Sequence, residues 1–142
     1  MLIFSSDRCP TTKAYGARLK ALQLEYAPRG IQLLALNSND PQLDPDESYP
    51  RMVGRAAEDG YVFPYVVDDG QLFVKAYRVT CTFHVFLLDR ERRLRYEGRF
   101  DNSRIAANVT SRDPREALDD VLAGRDIRVA IVRPFGCSLD FV

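Results

Sequence analysis

The sequence predicts an α/β domain with a central mixed sheet flanked by helices, and three features carry that expectation. Short apolar runs alternate along the chain with longer segments whose apolar residues recur at helical spacing. "IQLLALNS" (Ile31 to Ser38) is apolar almost throughout, as a parallel strand buried on both faces must be. "FHVFLLD" (Phe83 to Asp89) and "RLRYEGRF" (Arg93 to Phe100) flank a charged turn, the pattern of an antiparallel hairpin.

Leu2 to Phe4 reads as the first strand. Pro10 suits the first turn of a helix, where its missing N–H costs nothing, and Tyr15, Leu19, Leu22 and Tyr26 then mark one helical face. "APRG" (Ala27 to Gly30) closes that helix and leads into the Ile31 strand. The polar stretch "NDPQLDPDESYP" is a loop, and Met52, Val53, Ala56 and Ala57 mark a shorter helix ending at Gly60. "FPYVVDD" (Phe63 to Asp69) is a strand, "QLFVKAYRV" a two-turn helix, and the hairpin follows. In "SRDPREALDDVLAG", Asp113 is the expected N-cap, Pro114 stands at N1, Glu116 at N3, and Gly124 lies just past the end. The tail, "RVAIVRPFGCSLDFV", holds a strand-like run and the last cysteine. No repeat or linker divides the 142 residues, which fit a single domain over 1–142. A β-α-β start, a further helix, a hairpin and a terminal helix form the thioredoxin-like plan, with the first strand at the sheet centre. Its ligand site falls where that strand's C-terminal end meets the following helix.

The 20 basic and 20 acidic side chains cancel, and no long basic run appears, so neither nucleic acid nor a membrane surface is the expected partner. No apolar stretch approaches the roughly 20 residues of a membrane span. "MLIFSSDRC" carries no basic leader, so a cytoplasmic location is expected, with its three cysteines reactive or reduced rather than a disulfide framework.

The chemistry concentrates in "FSSDRCPTTKAY" (Phe4 to Tyr15). A cysteine at a helix start sits among free backbone N–H donors at the positive end of the macrodipole, which favours thiolate over thiol. The motif resembles that of the thioredoxin-like alkyl hydroperoxide reductase/thiol-specific antioxidant (peroxiredoxin-like redoxin) family. Further stretches carry the likeness: "AYGARLKALQLEYAPRGIQLLALNSND", "GYVFPYVVDDGQLFVKAYRV", "FLLDRERRLRYEGRFDNS", "REALDDVLAG" and "GCSLDF". Together they run from about Phe4 to Phe141. The chain departs from the family pattern in three ways. Ser6 stands where many relatives have a first cysteine. Thr82-Phe83 replaces a Thr-Pro whose proline is normally cis, and the strand region ahead of the cysteine strand is shortened.

The resemblance implies a thiol peroxidase. Cys9 is its nucleophile, and Ser6 supplies the hydroxyl of the peroxiredoxin Ser/Thr-x-x-Cys pattern, bonding the thiolate and the attacked oxygen. Cys81 lies two residues before the family's proline position and is the expected resolving cysteine, which requires Cα atoms within about 7 Å of each other. Arg8 is a candidate to stabilise the thiolate, and Thr82 and Phe83 to line the substrate site. Phe83 is expected to place an apolar ring near Cys9 and raise its pKa, and Phe83→Pro to reverse this. Cys137 is expected to be structural or peripheral. His84, the single histidine, is expected to be a hydrogen-bonded structural residue.

No metal site is expected, because the cysteines and His84 lack a metal-knuckle spacing. No cofactor is expected either. The partners implied are a small hydroperoxide or thiol/disulfide substrate and an external thiol such as thioredoxin or glutathione as reductant. Two other readings stay open: a monothiol disulfide oxidoreductase, and a redox-inactive binding module of the same fold.

Overall fold

The computed structural model describes residues 1–140, so Phe141, the end of the tail motif, lies outside the described residues. Five strands form one sheet in the order β3-β2-β1-β4-β5. The first strand, β1 (Leu2–Ser5), lies at the centre, as the element order predicts. β2 (Leu34–Asn37) pairs parallel with β1, and β3 (Tyr65–Val67) pairs parallel with β2. On the other side β4 (His84–Leu88) and β5 (Leu94–Gly98) run antiparallel as a hairpin. The sheet is therefore mixed.

Strand periodicity divides the core into two layers. Ile3, Ala35, Val85 and Leu87 face the layer covered by α1 (Pro10–Tyr26) and α4 (Asp113–Leu122). Tyr15, Leu19, Leu22 and Tyr26 from α1 join Ala117 and Leu118 from α4 there, all buried. Phe4, Leu36 and Phe86 face the opposite layer, where Val74 of α3 (Leu72–Ala76) packs with Val79 and Leu139. The remaining helix, α2 (Tyr49–Glu58), buries Met52 and joins β2 to β3. Buried polar groups fix the chain path: Gln23 accepts from Leu33 N–H at 2.6 Å and donates to Ile31 O at 3.1 Å, guiding the entry to β2. Among the described residues no helix is long and apolar enough to cross a membrane.

Two features toward the C-terminus differ from the sequence reading. Arg112, not Asp113, is the N-cap of α4. The Asp113 carboxylate is instead taken by Arg99 Nε at 2.7 Å and Ser111 Oγ at 2.9 Å, so it ties β5's exit to the helix rather than capping it. The strand-like run in the tail is a single bridge, Glu97 to Ile131. Beyond Gly124 the chain is an extended strap laid along the sheet's edge and over its end. Glu97 N–H donates to Ala130 O (2.8 Å) and Val132 N–H to Glu97 O (2.9 Å). A Cβ at Gly98 would lie 2.1 Å from Val132 O, so only glycine lets the strap approach β5 this closely.

His84 shares a sheet face with Phe86, as alternation predicts, with ring centroids 4.3 Å apart. It is not the hydrogen-bonded histidine expected. Its ring nitrogens are buried without a hydrogen bond among the described residues, and Nε2 lies 3.4 Å from Glu97 Oε1 outside hydrogen-bond geometry. β4 holds the ring against Phe86, and burial pulls its pKa down to about 4. A group whose folded pKa lies below its unfolded value stabilises above the unfolded value and loses that contribution as pH falls toward the folded one. The melting temperature is therefore expected to drop between the ordinary histidine value of 6.5 and about 4. Scanning calorimetry of His84→Leu across that window should show a flatter pH profile than the parent.

Candidate functional site

The end of β1 hands the chain to α1 through Ser6, Asp7, Arg8 and Cys9, and Cys9 is the N-cap of α1 in extended conformation, φ −70° and ψ 121°. Proline at the next position cannot donate to an upstream carbonyl, which starts the helix there and leaves the sulfur at its positive end. Cys9 is disulfide-bonded to Cys137, with Cα atoms 6.0 Å apart across 128 residues of sequence. The expected pairing with Cys81 is thus corrected: Cys81 is a half-buried free thiol, its pKa pushed up by burial. Cys137, expected to be peripheral, is the partner because the strap carries it across the sheet end onto the α1 N-terminus.

Thr82 is the clamp between the two cysteines. Its N–H donates to Cys137 O at 2.9 Å, and Cys137 N–H donates to Thr82 Oγ1 at 2.9 Å. As a donor, Thr82 Oγ1 lies within reach of two acceptors, Cys9 Sγ at 3.2 Å and Cys137 O at 3.3 Å. A Cβ on Gly136 would lie 1.9 Å from Thr82 O, so the residue before Cys137 must be glycine for the strap to reach this clamp. Beyond Cys137, Leu139 is buried, Asp140 N–H donates to Asn39 Oδ1 (2.9 Å) and Gln71 Nε2 donates to Asp140 O (2.8 Å). The strap is anchored on both sides of the cysteine. A reactive cysteine at a helix start reads as partly exposed, yet under this cover Cys9 is 2% exposed, while Cys137 is half-buried.

Ser6 does not reach the sulfur. Its hydroxyl donates to Glu47 Oε1, and Glu47 also accepts Arg8 N–H (3.2 Å), Asp7 N–H (2.9 Å) and Asn37 Nδ2 (2.8 Å). Buried in a one-turn helix (Pro45–Glu47), this carboxylate gathers the donors of the loop that precedes Cys9 and fixes its course. In the sequence Glu47 is one acid of the polar loop NDPQLDPDESYP. Nothing in its local composition marks it, since its partners lie about 40 residues upstream and on β2. Ser6 is thereby a positioning residue, and the hydroxyl at the sulfur belongs to Thr82. Arg8 points outward, pairing with Asp44 at 2.6 Å while its own side chain stays 65% exposed.

The disulfide faces a cavity of about 150 Å³ lined by Ser6, Arg8, Asn39, Glu47, Ser138 and Asp140. Its walls are polar, and the helix N–H groups with the Thr82 hydroxyl favour negative charge on Cys9 Sγ once the bond is reduced.

Phe83 also departs from expectation. Its ring turns away into the main core, stacked on Tyr15 at 4.7 Å and edge-on to Phe100 at 6.4 Å. No cis peptide bond occurs among the described residues; Phe83 instead adopts φ +61°, which lets its N–H donate to Phe4 O at 2.6 Å. A non-glycine residue in this region costs on the order of 1–3 kcal/mol, offset here by the stacked ring and that hydrogen bond.

Several solved structures are similar to this chain. A hypothetical protein of Sinorhizobium meliloti 1021 superposes with TM-score 0.91 at 39% sequence identity, over 99% of this chain and 78% of that one. An uncharacterized conserved protein of Geobacillus kaustophilus superposes with TM-score 0.92 at 35% identity, over 99% and 76%. A thioredoxin-like protein in its oxidized form matches with TM-score 0.69 at 17% identity, over 87% and 77%, which establishes a thioredoxin-like fold. No protein-family model and no curated protein matches the chain.

Because proline fixes φ near −65° and has no N–H, it fits neither the dihedral nor the hydrogen bond at position 83. Phe83→Pro is therefore expected to lower the unfolding free energy by about 3 kcal/mol, with a correspondingly lower urea midpoint, rather than to improve the site. Urea denaturation of the parent and the variant measures this.

Proposed function

The chain belongs to the same family as the Sinorhizobium and Geobacillus proteins, and we propose that its activity is that of a two-cysteine thiol peroxidase. The observation that carries this reading is the Cys9–Cys137 disulfide: one sulfur at a helix start under a donated hydroxyl, the other on a strap anchored on both sides. In the reduced protein the Cys9 thiolate attacks one oxygen of a hydroperoxide, the O–O bond breaks, and the alkoxide or hydroxide leaves and takes a proton. Cys9 becomes a sulfenic acid. The Cys137 thiolate then attacks Cys9 Sγ, water leaves, and the disulfide forms. An external thiol such as thioredoxin or glutathione returns the pair to two thiols.

Preorganisation supports the second step. With Thr82 exchanging backbone and side-chain hydrogen bonds with Cys137, the resolving sulfur is held against Cys9, and the reaction is effectively intramolecular. The polar walls and volume of about 150 Å³ favour hydrogen peroxide or another small hydrophilic hydroperoxide over a lipid one.

A second reading, a disulfide oxidoreductase, is favoured by the same pair, since two linked cysteines exchange with disulfides through a mixed intermediate. It differs from the monothiol form because Cys137 supplies the second sulfur. A redox-inactive module gives no account of why two glycines and a threonine bring Cys137 to Cys9.

Single-turnover assays separate these outcomes. Reduced parent and Cys81→Ser should each consume one equivalent of hydrogen peroxide and become disulfide-linked. Cys137→Ser should stop at a sulfenic acid that dimedone traps on Cys9, and Cys9→Ser should consume none. Undiminished peroxide consumption by Cys9→Ser would remove the peroxidase reading.

A further inference from the structure

On the sheet face that carries α1 and α4 there is a cavity of about 260 Å³, bordered by neither Cys9 nor Cys137. Its walls come from α1, from the loop that joins β5 to α4, and from α4 itself. Leu22, Phe100 and Pro114 give it buried apolar surface, and Ala106 and Val109 extend that surface along the loop. Hydrogen bonds hold the loop wall in place. Asn102 Oδ1 accepts Thr110 N–H (2.9 Å) and Ser111 N–H (3.1 Å), and Asp101 Oδ1 accepts Ser103 N–H (3.1 Å) and the Tyr15 hydroxyl (2.6 Å). The cavity is thus built into the fold, as small-molecule sites generally are.

Three arginines border it, and two of them are engaged. Arg18 Nη1 meets Asp101 Oδ2 at 2.5 Å and Ser103 O at 2.9 Å, and its Nη2 donates to Ala14 O and Arg104 O. Arg115 donates to Glu25. Arg112 is exposed, and its side chain has no ion pair or hydrogen bond among the described residues. The acid beside it in sequence, Asp113, is taken by Arg99 and Ser111. One more donor is left over: Arg18 Nε is buried with no hydrogen-bond partner among the described residues. A buried donor without an acceptor costs stability, so the Arg18 wall also favours negative charge nearby.

Charge and shape together select one ligand class. Asp101 balances Arg18 and Glu25 balances Arg115, which leaves the single charge of Arg112 for a monoanion. A guanidinium fork matches the two oxygens of a carboxylate. The volume lies just below the range of about 300–1,000 Å³ that holds drug-sized ligands, so the apolar body is one ring rather than several. We infer that this cavity binds a small single-ring monocarboxylic acid, its ring against Leu22, Phe100, Val109 and Pro114 and its carboxylate on Arg112. Binding moves no electron and touches neither sulfur, so the inference stands apart from the redox reading of Cys9–Cys137.

The probe is 3-phenylpropionate; 3-phenylpropanol has the same body without the charge, and acetate has the charge without the body. Titrated into the oxidised full chain, 3-phenylpropionate should bind saturably and shift the amide resonances of Ala21, Leu22, Ala106, Val109 and Arg112. The alcohol should bind about tenfold more weakly, the loss of one charge-assisted hydrogen bond, and acetate should not saturate. Arg112→Gln removes an exposed charge whose side chain caps nothing, so the melting temperature should hold while affinity falls about tenfold. Arg112→Lys, which keeps the charge without the fork, should fall between the two. Equal affinity for the acid and the alcohol overturns the proposal. So does binding that ignores Arg112→Gln, or shifts scattered over arginines outside the cavity.

Discussion

The junction of Cys9, Thr82 and Cys137 is the constraint on which the rest of the arrangement depends. It joins three parts of the chain that are far apart in sequence: the start of α1, the turn into β4, and the C-terminal strap. A covalent bond closing a loop of this length also removes much of the conformational freedom of the unfolded chain, on the order of 4–5 kcal/mol in the chain-entropy picture. Reduction removes that contribution while leaving the hydrogen bonds to Thr82, Asn39 and Gln71. The strap therefore has reasons to stay docked in both redox states, and Cys137 stays near Cys9 without the bond.

Two buried acids shape the loop between β1 and α1 in opposite ways. Glu47 is fully engaged, accepting from three residues of the loop and from Asn37, so it sets the position of Cys9 without touching the sulfur. Asp7 is held on one oxygen only and faces a cavity rich in cations. The first acid spends its hydrogen-bonding capacity on structure, whereas the second leaves one buried oxygen without a partner among the described residues. The same contrast separates Ser6, committed to Glu47, from Thr82, whose hydroxyl faces sulfur.

Much of the fold was legible because its signals are local. Helical spacing in α1, the apolar run of β2 and the hairpin around Asp89 follow from periodicity and turn residues, and the central place of β1 is what the thioredoxin-like order of elements implies. The position of Cys9 at a helix start was legible for the same reason. What sequence reasoning missed depends on contacts between distant segments. Cys137 matched a tail motif with no local role, and its pairing follows from a strap path set by close approaches at Gly98 and Gly136. Glu47 lay in a polar loop indistinguishable from a solvated one. Phe83 was read through a missing proline, yet a positive φ and a stack on Tyr15 solve the local problem another way and keep its ring in the core.

If Cys9 and Cys137 form the working pair, they must gain and lose electrons together. Equilibrating the full chain in dithiothreitol buffers of graded poise, then alkylating and mapping the cysteines by mass spectrometry, tests this directly. Cys9 and Cys137 should titrate as one two-electron couple, with Cys81 alkylated at every poise. A Cys9–Cys81 bond, or three cysteines that remain independently alkylated under the most oxidising buffer, would contradict the account.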